Sequence, residues 1–420
     1  MEEILKETYG IRAEAIALMK RAEQDLAEPF RIFEERAMVC QAKVLAAFHK
    51  EGISERHLVG TTGYGYDDAG REGLDRIYAS VFGAESALVR QQIVSGTHAL
   101  AACFFGVLRP GDTLLFATDT PYDTLEEAVG LRGTPGFGSL AEWGVTSRVV
   151  PLLSDGSPDY DAIQKSLDDS VKMVAIQRSK GYAWRKSLSV AEIGRLIQFI
   201  KQLQPNVVCM VDNCYGEFVE EQEPTAVGAD LMAGSLIKNP GGGLAPTGGY
   251  VAGRADLVEK VAARLTAPGI GGEVGATLNV NRLFYQGLFM APHIVMQSLK
   301  TAALAARMLE LAGYEVCPAS QEMRSDIIQA AKLGSGEKVC AFCQGIQQGS
   351  PVDSQVTPMP WDMPGYESPV IMAAGTFVSG ASIEISADAP IREPYAVYLQ
   401  GGLTYESAKV ALLCAIHKLL

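Results

Sequence analysis

Residues 206–253 read NVVCMVDNCYGEFVEEQEPTAVGADLMAGSLIKNPGGGLAPTGGYVAG. The run from Val207 to Val211 is short, apolar and rich in β-branched side chains, which predicts a buried strand. Asp212 follows at its carboxyl end, where open α/β sheets place ligands. An apolar approach, Ser235-Leu236-Ile237, leads to Lys238 and Asn239. A glycine-rich segment from Gly241 to Gly249 then precedes Tyr250-Val251-Ala252.

This arrangement suits the chemistry of pyridoxal phosphate. That cofactor needs a lysine to form a Schiff base with its aldehyde. An apolar pocket disfavours the ammonium and is expected to lower the lysine pKa from its reference of about 10.4. It also needs a carboxylate to keep the pyridine nitrogen protonated, so that the ring can withdraw electrons. Lys238 and Asp212 suit these roles. Taken alone, the pair reads equally well as a surface lysine and an acid capping a turn.

Working upstream, Val171 to Ile176 is a second apolar run. Ser189-Val190-Ala191-Glu192 is a capping box, and Ile193, Leu196, Ile197, Ile200 and Leu203 follow at helical spacing. Strand, helix, strand makes a βαβ unit and a parallel sheet. Ser95-Gly96-Thr97-His98 opens another apolar helix. Its start either cradles a phosphate or is a plain serine cap. Arg109-Pro110-Gly111-Asp112 is a turn, Thr113 to Phe116 a strand, and Tyr122 lies in the loop beyond it. Ser95, Tyr122, Gln177 and Asp212 thus fall on one edge of one sheet.

The flanks are less regular. Residues 1–50 are helix-periodic, and Pro29 is expected to separate two helices. This arm has little core of its own and should pack on the main domain or on a second subunit. Gly63-Tyr64-Gly65-Tyr66 lacks the GxGxxG spacing of a dinucleotide site. Its tyrosines serve either packing or ligand contact. A helix is expected from Arg71 to Phe82. After Val251 the pattern is helical to about Leu311, broken at Gly269 to Gly275, with a long helix near Asn281 to Lys300 joining two domains. Gly345 to Pro369, which contains Trp361, reads as a long loop. Strands are expected at 370–373, 376–378 and 382–386, and a closing helix at Thr404 to Leu420. The predicted organisation is α/β: a helical arm at 1–50, a large domain at 51–290 with a mainly parallel sheet flanked by helices, and a smaller α+β domain at 291–420.

The chain has 420 residues, 48% hydrophobic and 20% charged, with a net charge of −13. That acidity argues against nucleic acid or an anionic membrane as partner. The N-terminus lacks the basic start and apolar core of a signal peptide. Eight scattered cysteines suggest no disulfide framework, and a cytoplasmic location is the expectation. Cys340-Ala-Phe-Cys343 is a lone CxxC, read as part of an apolar strand rather than a metal site, so no metal is expected.

Six stretches extend the pattern: GTTGYGYDD, VSGTHAL, PYDTLEEAVG, VDNCYGEFVE, GSLIKNPGGGLAPTGGYVAG and SADAPIREPYAVYLQGGLT. With Asp212-Asn213 and Ser235-x-x-Lys238, they resemble the fold-type I pyridoxal-phosphate enzymes of the cystathionine lyase and methionine γ-lyase group. The closer resemblance is to the methionine γ-lyase family branch known as aluminium-resistance proteins. The resemblance implies that Lys238 forms the Schiff base and shuttles protons, and that Asp212 pairs with the ring nitrogen. It implies that Ser95, Gly96, Thr97 and Ser235 hold the phosphate, and that Tyr122 stacks on the ring and assists as acid or base. Arg392 would clamp the substrate carboxylate, with Gln177 and Tyr64 near the substrate. Tyr66 would reach a neighbouring subunit's cofactor, in a dimer of dimers with shared sites. The implied activity is a carbon–sulfur lyase acting on a small sulfur amino acid; the alternatives are an aminotransferase or another amino-acid elimination using the same cofactor, or a stress-resistance protein that binds it with little turnover. The chain departs from the better-known lyases in having Asp67-Asp68 after Tyr66, with Arg71 the nearest arginine. It also has Cys214-Tyr215 after Asp212-Asn213, and Gln177-Arg178-Ser179 where those enzymes carry Asn-Pro.

Overall fold

The computed structural model describes residues 2–363 and 368–420. Seven strands form the larger sheet: β1 (Ser86–Arg90), β2 (Thr113–Phe116), β3 (Thr146–Val149), β4 (Val171–Gln177), β5 (Val208–Asp212), β6 (Leu231–Ser235) and β7 (Gly249–Gly253). Their order is β1-β7-β6-β5-β4-β2-β3. Strands β6, β5, β4, β2 and β3 pair in parallel, while β7 is antiparallel to both its neighbours. The sheet is therefore mixed but mainly parallel, as its sequence suggests.

Alternation along the strands feeds two cores, because successive side chains point to opposite faces. Leu114, Phe116, Met173, Ala175, Val208 and Met210 belong to one; Leu115, Val174, Ile176, Cys209 and Val211 belong to the other. The helices are α1 (Glu2–Tyr9), α2 (Ala13–Asp25), α3 (Ala27–Lys50), α4 (Ala69–Phe82), α5 (Gly96–Val107), α6 (Asp123–Val129), α7 (Tyr160–Ser166), α8 (Val190–Leu203), α9 (Ala255–Leu265), α10 (Asn281–Leu311), α11 (Gly336–Gln348) and α12 (Tyr405–Leu419). Helices α5, α6 and α9 cover the first core, and α4, α8 and α10 the second.

A second sheet lies beyond α10. Its strands are β8 (Glu315–Cys317), β9 (Gln329–Lys332), β10 (Val370–Ala373), β11 (Ser386–Pro390) and β12 (Ala396–Gln400). They run in the order β10-β11-β12-β9-β8, every pair antiparallel. Helices α11 and α12 pack on each other, and α11 packs on β10 and β11.

Several local expectations are corrected. Pro29 does not separate two helices. The break falls at Leu26, and Pro29 stands in the first turn of α3, where its missing N–H would have had no partner anyway. Cys340 and Cys343 lie on α11, not on a strand; Cys343 is buried, its Sγ 3.5 Å from the carbonyl of Ala387. The Gly345–Pro369 loop starts later, because α11 runs to Gln348, and residues 364–367 of it lie outside those described. No strand forms at 376–378. Of 382–386, only Ser386 is in a strand. Carboxylate Oε2 and Oε1 of Glu384 accept the N–H groups of Phe377 and Val378 instead, so a side chain takes the place of a ladder partner. The arm packs on its own chain: α3 lies on α10 and α4, and α2 on α10 and α12. No helix among the described residues is long and apolar enough to cross a membrane.

Candidate active site

The carboxyl ends of β4, β5 and β6 stand side by side. Gln177, the last residue of β4, pairs in register with Asp212, the last of β5, which pairs with Ala233 of β6. Strand β6 ends on Ser235. A short turn then carries Lys238 to the start of a 3₁₀ segment, Asn239–Gly241. That turn is tight: a Cβ on Gly241 would lie 1.8 Å from the carbonyl oxygen of Leu236.

Helix α5 brings its first turn to the same edge. Ser95 caps it, its Oγ accepting the N–H of His98 at 3.0 Å. Gly96 and Thr97 follow, in the turn whose N–H groups have no partner within a helix. A Cβ on Gly96 would lie 3.3 Å from Cys214 Sγ and 3.7 Å from Ser235 Cβ, so glycine keeps this approach open. The second sheet closes the space from the other side with Asp388 of β11, Gln400 of β12 and Arg392 from the turn between them. The result is one cavity of about 510 Å³.

Ser95, Gly96, Thr97, Tyr122, Gln177, Asp212, Ser235, Lys238 and Arg392 all line it. Nine residues named from the sequence are thus brought together. Tyr64 and Tyr66 are not among its lining. They are 75% and 61% exposed, with ring centroids 5.7 Å apart. Arg71 is buried and donates to the carbonyls of Gly65, Glu273 and Gly275 at 2.6, 3.1 and 3.1 Å. It holds that tyrosine loop and does not line this chain's cavity.

The electrostatics follow from burial and near neighbours. Asp212 Oδ1 accepts the N–H of Cys214 at 3.1 Å. Burial raises the Asp212 carboxyl, opposed by that N–H and by the charge of Lys238. Lys238 Nζ lies 3.8 Å from the ring centroid of Tyr215. Burial alone would lower its pKa, but Tyr215, Cys214 and Asp212 outweigh burial, and the ammonium is favoured. The lowered pKa expected from an apolar pocket is therefore corrected: burial acts in that direction, but Tyr215, Cys214 and Asp212 together act against it more strongly. Burial pushes the Tyr122 phenol up, seconded by Asp212, so Tyr122 keeps its proton; its OH lies 3.0 Å from Thr97 Oγ1.

A buried network backs the lysine turn. Arg178 meets Asn213 Oδ1 at 2.8 Å, Glu220 at 2.9 Å and Glu223 at 3.3 Å. Tyr250 donates to Glu217 Oε1 at 2.8 Å, and Asn239 Nδ2 to the carbonyl of Glu217 at 2.9 Å. Among the cavity's polar residues that sequence reasoning missed are Tyr215, Lys180, Asp388 and Gln400. Tyr215 has a left-handed φ of 73°, a conformation rarely kept by a bulky residue unless its surroundings impose it. Lys180 is buried against the carbonyl of Ile328 at 3.2 Å and Asp326 at 3.7 Å. Asp388 was visible only as an acid within SADAPIREPY.

The donor set fits pyridoxal phosphate. It offers an amine, a carboxylate a few residues from it in space, a phenol ring, and an anion site at a helix start kept open by glycine. The comparisons agree. Residues 15–420 match the methionine gamma-lyase family. The protein YnbB of Bacillus subtilis is 53% identical over 398 residues, covering 95% of this chain and 94% of its own. A Clostridium novyi structure described as a carbon-sulfur lyase involved in aluminum resistance superposes with a TM-score of 0.96 at 50% identity, covering 100% of this chain and 99% of its own. The pyridoxal-5'-phosphate dependent protein YhfS of Escherichia coli shares the fold at a TM-score of 0.61 and 16% identity, over 91% of this chain and 96% of its own. The architecture is that of the fold-type I pyridoxal-phosphate enzymes, and the chain belongs to the methionine gamma-lyase family.

Proposed function

We propose that this chain is a pyridoxal-phosphate-dependent carbon–sulfur lyase. It would eliminate a thiol from a methionine-, cystathionine- or cysteine-like amino acid and release a 2-oxo acid and ammonia. The observation that carries the reading is the meeting of Lys238, Asp212 and the first turn of α5 in one cavity. When bound, the cofactor supplies an electron-withdrawing ring that makes the substrate's α-proton removable.

The chain's own residues do the rest. Ser95, Gly96, Thr97 and Ser235 hold the phosphate through the free N–H groups of α5 and the hydroxyls of the two serines and the threonine. Asp212 supplies negative charge to the ring nitrogen. Lys238 would anchor the cofactor; once the substrate's amine has taken its place there, the freed Nζ would accept the proton from the substrate's α-carbon. Tyr122, protonated through burial, would pack against the cofactor and donate toward the departing sulfur. Arg392 engages the substrate carboxylate with two parallel N–H bonds, and Gln177 borders the substrate. The second sheet shields the site from water. Tyr66 and Tyr64 serve the site of a second subunit, in a homo-oligomer built as a dimer of dimers. The corresponding domains are 1–50, 51–290 and 291–420, and the protein acts in the cytoplasm.

The test is the visible absorption spectrum of the purified protein before and after borohydride, with a peptide map and product analysis. A yellow protein bleached by borohydride, a pyridoxyl group on Lys238, and thiol and ammonia in equal yield are the expected results. A colourless protein that takes up no added cofactor would overturn the reading. A new amino acid in place of ammonia would make it an aminotransferase.

A further inference from the structure

Two acceptors in the cavity wall lack a donor. Asp388 and Gln400 are only 7% and 4% exposed, and both line the cavity. Gln400 Nε2 donates to Asp388 Oδ2 at 3.2 Å. Asp388 Oδ1 and Gln400 Oε1 remain, buried and without a hydrogen-bond partner. Buried polar atoms are normally partnered, and an unmet one weakens whatever state leaves it so. The pair marks a place for a donor that arrives with the substrate.

Charge narrows the choice. A substrate carboxylate would be repelled by Asp388. The substrate's α-amine is committed to the position of Lys238 under the lyase reading, on which this inference rests. A plain thioether chain offers no N–H. An ammonium beyond the sulfur offers three, enough to reach both oxygens and to neutralise the carboxylate. We propose that Asp388 and Gln400 recognise a cationic amine on the leaving-group side of the substrate. The favoured substrates are then amino acids whose sulfur carries an aminoalkyl arm.

The groups facing Asp388 are Lys238 from the β6 turn, Gln400 of β12 and Cys343 of α11, with Arg392 in the same cavity. Burial dominates over Gln400 and Lys238 and pushes the Asp388 carboxyl up to about 7. Its ionised form is the one that meets a cation, so recognition strengthens as pH rises through that value.

The test compares S-aminoethyl-cysteine with S-propyl-cysteine, which differ in an ammonium replacing a methyl, on the cofactor-loaded protein. A roughly hundredfold preference in kcat/KM for the aminoethyl compound is expected one pH unit above the Asp388 value, since a site built for a polar group rejects analogues lacking it. The preference should shrink one unit below it and in Asp388→Asn. Should neither compound turn over, the lyase reading fails. The same ratio is then read as Kd from the cofactor's absorbance change, and it still decides this inference. Equal values for the two compounds would overturn it, as would a preference unchanged in Asp388→Asn.

Discussion

Lys238 Nζ rests against the face of Tyr215 at 3.8 Å, a contact in which the ring quadrupole holds a cation in place. Removing the amine removes both the cofactor anchor and the proton carrier. Lys238→Ala is expected to lower turnover by roughly four orders of magnitude or more, the scale seen when a covalent catalyst is deleted. Its circular dichroism should stay native, and a 2-oxo acid assay checks the loss. Asp212→Asn keeps the shape but not the charge. Turnover is expected to fall about a hundredfold to a thousandfold, as when one preorganised electrostatic group is lost; wild-type rates would remove Asp212 from its role. Both residues were legible because each follows an apolar run that marks a strand or its approach. Asp388 and Gln400 were not, because their pairing arises across a hairpin and each looks ordinary in its own segment.

Among the elements, the end of β5 and the turn after it carry an unusual load of buried acid. Glu217 is fully buried, with Oε2 unpartnered, and burial raises its carboxyl to about 8 from an ordinary 4.5. Between those values the folded chain holds a proton that the unfolded chain has released. This contribution to stability is therefore intact below about pH 4.5 and lost as pH rises toward 8. The loss amounts to a few kcal/mol. Glu217→Gln, neutral throughout, should show a shallower fall in Tm across that interval, measured by thermal melts at stepped pH; an identical slope would refute the assignment. The βαβ unit, the capping box at Ser189 and the α5 cap were readable because their signals lie within a few residues. The strand expected at 382–386 failed because Glu384 diverts the local backbone N–H groups, and no local pattern reveals that.

At the scale of the whole molecule, two exposed tyrosines on the loop braced by Arg71 stand outside their own chain's cavity. If the sites are shared between subunits, Tyr66→Ala and Lys238→Ala damage complementary halves of a site. Mixing the two inactive variants after dissociation should then restore about a quarter of wild-type activity, the statistical yield of one intact site in each hybrid dimer. No recovery would place Tyr66 outside the site. The same arrangement makes activity fall on dilution below the dimer's dissociation constant.

By itself, the sequence determined the mainly parallel sheet, the lysine and acid at its carboxyl edge and the serine-capped helix start. Each is announced by periodicity, capping or turn chemistry acting over a few residues. Only the tertiary structure decided that β7 runs against its neighbours, that Tyr215 lies under Lys238, that Arg71 is tied up by backbone carbonyls, and that Asp388 and Gln400 line the cavity, each with a buried oxygen unmet. These depend on contacts between segments far apart in the chain, and on burial that raises or lowers a charge only once both sheets have closed around it.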